Sequence, residues 1–285
     1  MEEMKRVLLF LTLLLAACAT GPALHRPDLA LPDLARAHRQ RTDVFSHYQT
    51  RGIARWNQDW PWQLDLTGIA WSDHRTATAV TPRHVVMADH FRLPPGKAIV
   101  FHDRHGRAHV RKVIRVLRLR EIGTPCDVAV GLLDIPLPAS IRTYPLPRVA
   151  ADSIDRLVGA TAVITGHLRN VDFRRIGRIQ FEGKMLAFQY LAGQAGVRSH
   201  QVIVGDSGNP SFVLSHGELV LIETHTGGGA GVGPFYGSPE IIAGIERAIA
   251  TTDPSQHLRF VAPDARTLAE AAEGRAQGDV PRLAP

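Results

Sequence analysis

From Gln63 to Thr226 the chain is written largely in short apolar runs, each closed by glycine, proline, aspartate or serine. Gln63–Trp71 and Thr76–Val80 flank a Ser-Asp-His-Arg turn, and Lys97–His102 and Arg107–Leu119 flank Gly106. Val158–Gly166 and Leu219–Thr226 repeat the pattern further on. Runs of this length and make-up, bounded by turn formers, are strands. Helical stretches are expected only outside them: Leu34–Tyr48 before, then an amphipathic Pro239–Thr251 and a short Ala265–Ala276 after. The expected class is therefore all-β with a C-terminal helix.

Such a chain must hold itself together by its core. It has two cysteines, Cys18 and Cys126, so no disulfide framework is available. A domain of about two hundred residues buries enough apolar surface without one. The formal net charge of +6 is modest. Its densest basic stretch, Arg104, Arg107, Arg111, Lys112, Arg115, Arg118 and Arg120, lacks interleaved aromatic residues and reads as a solvated hairpin face, not a nucleic-acid surface. No Cys/His or His-x-x-x-His spacing suggests a metal, and the glycine-rich stretches form no phosphate loop. Neither cofactor nor metal is expected.

The chemistry-bearing segment is Val204-Gly205-Asp206-Ser207-Gly208-Asn209-Pro210. A serine hydroxyl is a poor nucleophile until a base takes its proton and donors hold the oxyanion that forms. Glycines on both sides of Ser207 allow a tight bend that turns the Gly205 and Ser207 amides toward one point. Upstream, the apolar strand Ala79–Ala88 runs into a turn ending at His90, and Asp127 stands directly before the apolar run Val128–Leu133. A carboxylate in that place suits the task of holding an imidazole in one tautomer. His84, Asp103 and Asp134 compete for the same roles.

Together these segments resemble the trypsin-like (chymotrypsin-fold) serine peptidases. That family carries a Ser-Pro-x-x-Val-Leu-Thr-Ala-Ala-His block, then Asp-Ile-Ala-Leu, then Gly-Asp-Ser-Gly-Gly-Pro, in the order His, Asp, Ser. The resemblance spans Leu66 to Thr252. It implies two antiparallel six-stranded β-barrels joined by a crossover over Pro136–Ala151. It also implies His90 as general base, Asp127 as its orienting acid, Ser207 as nucleophile, and Gly205 and Ser207 as the oxyanion hole. The substrate would be a protein or peptide.

Departures from the family pattern fall at named positions. Phe91 stands where a half-cystine usually follows the base, Asn209 replaces a glycine, and Asp89 adds a charge beside His90 that would raise its pKa if the two side chains faced each other. Asn tolerates left-handed backbone, so Asn209 is expected to be harmless there. No Ile-Val-Gly-Gly tetrapeptide supplies a new amine for the aspartate before the nucleophile; Arg51-Gly52-Ile53-Ala54 is a poor substitute. Asp206 is therefore expected to be held by an internal donor. Gln201, six residues before Ser207, argues against a strict preference for Arg or Lys. Thr224, His225 and Thr226, ahead of Gly227-Gly228-Gly229, are expected on the pocket wall. The His-x-Gly-Gly pattern resembles glutamyl endopeptidases, whose pocket histidine accepts an acidic side chain; Glu223 beside His225 would weaken that selectivity.

The N-terminus combines Lys5 and Arg6, an apolar run Val7–Leu15, and Leu15-Ala16-Ala17-Cys18. The run is too short for a permanent span and reads as a signal peptide. Its end resembles the lipobox of bacterial lipoproteins, implying lipidation of Cys18 and attachment to the cell envelope, with Ala19 pointing to the outer membrane of a Gram-negative host. The expected organisation is a signal peptide over 1–17, a lipid-anchored tether over 18–55, a peptidase domain over 56–252 and a largely loose tail over 253–285. Two other readings stay open: a binding protein that keeps the fold without turnover, and a quality-control protease that also holds unfolded chains.

Overall fold

A computed structural model describes residues 26–72 and 75–276 of the chain. Val128–Leu133 is a run of six residues that are all buried, a pattern that a strand covered on both faces satisfies. It is a central strand of the first sheet. In chain order that sheet comprises β1 (Ile69–Ser72), β2 (Arg75–Ala79), β3 (His84–Ala88), β4 (Ala98–His102), β5 (Ala108–Arg118) and β6 (Val128–Leu133). The spatial order is β1-β2-β3-β6-β5-β4, antiparallel throughout. Its edge strands β1 and β4 come together, so the sheet curls into a nearly closed barrel.

The second sheet contains β7 (Thr161–Gly166), β8 (Asn170–Gln180), β9 (Met185–Gln189), β10 (Pro210–Ser215), β11 (Glu218–Thr224) and β12 (Val232–Pro234). Its order is β11-β10-β7-β8-β9-β12, and it curls as a half-barrel. Thr42–Asp43 adds a seventh short strand alongside β8. The molecule is thus mostly β.

Period-two alternation divides the apolar residues between three cores. In β3, Val85 and Met87 face a cluster enclosed by the first sheet, with Ile99, Phe101 and Val113. The intervening Val86 faces a larger cluster between the sheets, with Val130, Val163, Phe212 and Leu221. In β7, Ala162 and Ile164 face the cluster of the second sheet, with Val213, Val220 and Phe235, while Val163 faces the shared one. Both sheets therefore place buried side chains on both faces over these strands, and the seam between them is apolar.

The helices are α1 (Leu31–Ala37), α2 (Pro239–Thr252) and α3 (Ala265–Ala276). α2 starts with a proline in its first turn and buries Ile241, Gly244, Ile245, Ala248 and Ile249, a stripe at helical spacing. Gly244 lets the helix approach the turn Leu119–Ile122, since a Cβ there would lie 2.7 Å from Thr124 Oγ1. Arg247 donates to the same hydroxyl at 2.6 Å. α2 therefore braces the loop that leads into β6.

The segment expected as a tether behaves differently from residue 26 onward. Leu29, Leu31, Leu34, Val44, Phe45, Ala54 and Trp56 are buried and join the shared core. The helix expected over Leu34–Tyr48 ends at Ala37; Thr42–Asp43 then pairs with β8, and Phe45–His47 pairs with Arg55–Trp56. The β-branched and aromatic side chains at Thr42, Val44 and Phe45 suit pleated surfaces better than a helix. The C-terminal segment is also packed: Phe260–Val261 runs parallel to Leu146–Pro147, and Ala271 of α3 is buried. The expected signal peptide and Cys18 lie outside the described residues, as do residues 73–74 of the first turn and 277–285 of the tail. Among the described residues, no helix is long and apolar enough to cross a membrane.

Candidate active site

β3 ends at Ala88, and a single turn of 3-10 helix, Asp89–Phe91, reverses the chain and exposes His90. The Asp127 carboxylate clamps this turn, accepting from the His90 backbone N–H through Oδ1 at 2.9 Å. Its Oδ2 lies 2.6 Å from His90 Nδ1 and also accepts from Thr226 Oγ1 at 3.0 Å. On the other side of the ring, His90 Nε2 lies 2.8 Å from Ser207 Oγ. His90 and Asp127 come from the first sheet, Ser207 and Thr226 from loops of the second. The three residues singled out in the sequence thus form one continuous chain of hydrogen-bonding groups across the seam.

The competing residues sit elsewhere. His84 is buried in β3, with Thr81 Oγ1 2.9 Å from Nδ1 and Thr252 Oγ1 2.9 Å from Nε2. Burial pushes its pKa down to about 4. Asp103 staples its own hairpin turn, accepting from the His105 and Arg107 amides and from His109. Asp134 accepts from the Lys112 and Ile135 amides at the end of β6.

The Asp89 carboxylate is taken up by arginines and makes no hydrogen bond to His90. The Asp89 side chain is buried and lies 2.8 Å from Arg118 Nε, 2.6 Å from Arg120 Nε and 3.2 Å from Arg92 Nη1. Two arginines of the expected solvated cluster are therefore partners of a buried carboxylate, whose burial requires such pairing.

The loop that carries Ser207 is built on left-handed glycines. Gly205 has φ 103° and Gly208 has φ 85°, conformations that L side chains rarely adopt. Gly208 N–H donates to His225 O at 2.8 Å, and His225 N–H to Asn209 O at 3.0 Å. Among the described residues, the amides of Gly205 and Ser207 have no acceptor. Asn209 is not in the left-handed region. Its buried amide instead donates to Asp206 O at 3.0 Å and accepts from Thr76 Oγ1 at 3.0 Å, tying the loop to β2 of the other sheet.

Asp206 does have an internal donor, and it is His167. The backbone N–H of His167 donates to Asp206 Oδ1 at 2.8 Å, and its Nδ1 lies 2.7 Å from the same oxygen. Ile203 N–H donates to Oδ2 at 2.8 Å. The His167 ring also packs on Gly205, where a Cβ would lie 3.3 Å from it.

The expected pocket residues separate. Gln201 is half-buried beside the loop. Thr226 does not line a wall but serves Asp127. Thr224 is fully buried, its hydroxyl 2.7 Å from Tyr236 Oη, which takes it off the wall as well. His225 is buried on the opposite side, edge-on to Phe188, with Nδ1 2.9 Å from Glu223 Oε1. Ser211 donates to that same Glu223 oxygen at 2.5 Å. An acidic group of the protein itself thus already stands close to His225, yet neither ring nitrogen has a hydrogen-bond partner among the described residues. Asp206's partner was not legible in the sequence, because a histidine in an ordinary turn carries no local signal.

No family model matches this chain, and comparison with curated proteins found no match.

Proposed function

We propose that this chain is a serine endopeptidase with the chymotrypsin-like arrangement of two six-stranded barrels. The observation that carries the reading is His90 held between Asp127 and Ser207 at 2.6 and 2.8 Å. In the proposed reaction, His90 Nε2 takes the Ser207 proton as Oγ attacks the scissile carbonyl. Asp127, with Thr226 behind it, keeps the proton on Nδ1 and stabilises the imidazolium that forms. The unpaired amides of Gly205 and Ser207 supply the donors for the tetrahedral oxyanion. His90 then protonates the leaving amine, and water hydrolyses the acyl-enzyme by the same relay in reverse. No cofactor enters this scheme.

With the lipobox-like Cys18, the proposed setting is a lipid-anchored enzyme of the bacterial cell envelope, meeting protein or peptide substrates. The test is labelling by a fluorophosphonate, compared with a Ser207→Ala variant, followed by a peptide-library digest. Labelling that depends on Ser207, together with cleavage, supports the endopeptidase. Labelling without cleavage of any peptide points to a different acyl-transfer substrate. No labelling of a folded protein leaves the fold serving only as a binding surface.

A further inference from the structure

The segment that precedes the first barrel contributes a side chain to the support of the nucleophile loop. Arg41 stands just before Thr42–Asp43, which is fixed by pairing with Val171 and Asn170 of β8. Trp60 Nε1 donates to Thr42 Oγ1 at 2.8 Å and Val44 N–H to Arg169 O at 2.7 Å, so the backbone here has little freedom. From this platform Arg41 Nη1 donates to Ser199 O at 3.0 Å and reaches Gln201 O at 3.5 Å. Those carbonyls belong to the stretch that runs directly into Gly205-Asp206-Ser207.

The other guanidinium nitrogen, Nη2, lies against Gly166, where any side chain would collide with it and would come 3.1 Å from Asp206 Oδ1. Arg41 and Asp206 therefore crowd the same glycine. Burial lowers the Arg41 pKa, and the charges of Asp206 and Asp172 oppose that shift. The next residue after Gly166 is His167, which holds Asp206 Oδ1 by its amide and its ring. The far side of the stretch is secured by a buried network: Asp172 Oδ2 lies 2.7 Å from His200 Nδ1 and 2.8 Å from Arg174 Nη1, and Arg174 also donates to His200 O. Arg41 is the member of this support that comes from outside both barrels.

We propose that Arg41 is a positioning residue for the nucleophile loop, acting with His167 so that the N-terminal arm is a built-in activator of the site. The inference rests on the serine-endopeptidase reading. Its content is that an intact arm, and not a newly cut terminus, sets Asp206 and thereby the Gly205 and Ser207 amides. Removing the Arg41 charge loosens residues 199–208 and misplaces the oxyanion donors, while the His90–Asp127 pair on the other sheet stays in place.

The test uses the full chain in detergent, as wild type, Arg41→Met and Arg41→Lys. It reads the fluorophosphonate labelling rate, backbone hydrogen exchange, thermal melting and rescue by added guanidinium. A shift of about an ångström in a catalytic group can cost roughly 100-fold in rate, so Arg41→Met is expected to lose about 10- to 100-fold in labelling. Exchange should speed up over 199–208 and stay unchanged over 84–91, with Arg41→Lys intermediate and guanidinium restoring part of the rate to Arg41→Met. Labelling within twofold of wild type, with unchanged exchange, overturns the proposal. A general drop in melting temperature with no guanidinium rescue also overturns it, because the arginine is then only structural. If the wild type itself does not label but Arg41→Met still loosens 199–208, the endopeptidase reading fails and the support role stands.

Discussion

Asp89 and His90 are consecutive in the chain, yet their side chains point in opposite directions: the carboxylate is wholly buried among arginines, and the imidazole is 45% exposed toward Ser207. The 3-10 turn separates them by rotating adjacent residues to different sides. The buried anion anchors the turn from within while the ring stands at its surface.

Replacing Asp89 should therefore damage stability more than chemistry. Asp89→Ala removes the shared partner of Arg92, Arg118 and Arg120, whose side chains are themselves partly exposed and can turn to water, so the loss is smaller than for a fully enclosed pair. Denaturant unfolding should show a lower midpoint than wild type. The pH dependence of fluorophosphonate labelling in the surviving folded fraction should match wild type. A displaced profile would mean that Asp89 reaches His90 electrostatically.

Asp127 bonds both the backbone and the ring of His90, so it fixes the turn as well as the tautomer. Asp127→Asn should lower the labelling rate on the order of 10⁴-fold, as loss of the orienting carboxylate does in comparable triads. Thr226→Val, which removes one donor to the carboxylate, should cost far less, about tenfold, the value of roughly one hydrogen bond to a charged group. Stopped-flow labelling at neutral pH measures both. Equal losses would place Thr226 on a par with Asp127 and contradict the assigned roles.

His84 gives a stability signature that is separable from activity. Thr81 Oγ1 accepts from the His84 backbone N–H, and the ring lies between the hydroxyls of Thr81 and Thr252, with its pKa pushed down from 6.5 to about 4 by burial. Between those two values the unfolded chain takes up a proton that the folded chain refuses. Stability is then fully present above pH 6.5 and falls by about 1.4 kcal/mol per pH unit as the pH drops toward 4. Unfolding free energies measured from pH 7.5 to 4.5 should show this slope, and His84→Gln should flatten it. A slope unchanged in the variant would assign the effect to another group.

Cys126, the residue before Asp127, has its thiol pKa pushed up to about 12, first by burial and then by the nearby carboxylates of Asp127, Glu240 and Asp89. Only the thiolate attacks thiol reagents, so Cys126 should react very slowly at pH 8 in the folded protein. Incubation with a maleimide should leave labelling of Ser207 intact. Rapid modification accompanied by loss of activity would show the loop before β6 opening in solution.

The parts of this site that were legible in the sequence are those whose signal is local. A strand running into a turn at His90, an acid ahead of a buried run at Asp127, and a glycine-flanked Ser207 are each complete within a few residues. The helices Pro239–Thr252 and Ala265–Ala276 were legible for the same reason, through their spacing and their proline and alanine content. What escaped depends on partners distant in the chain. His167 meets Asp206 across 39 positions and Arg41 meets Gln201 across 160. Thr224 and Thr226 were assigned to a wall because alternation alone does not say which side of β11 meets which neighbour. The arm was misjudged because its prolines suggested a linker, whereas burial of Leu31, Phe45 and Trp56 is settled only by the surface they land on.

The seam between the two sheets is apolar and, among the described residues, carries no strand across it. Half of the hydrogen-bonded constellation belongs to one sheet and half to the other, joined across the seam by the 2.8 Å contact of His90 with Ser207 and the 3.0 Å contact of Thr226 with Asp127. A slip of either half along that seam breaks both contacts at once without unravelling a single strand. On the proposed endopeptidase reading, turnover doubles as a gauge of how firmly the halves are docked. In a denaturant titration, activity should vanish at lower concentrations than the β signal in circular dichroism, with the gap between the two curves measuring the strength of the seam.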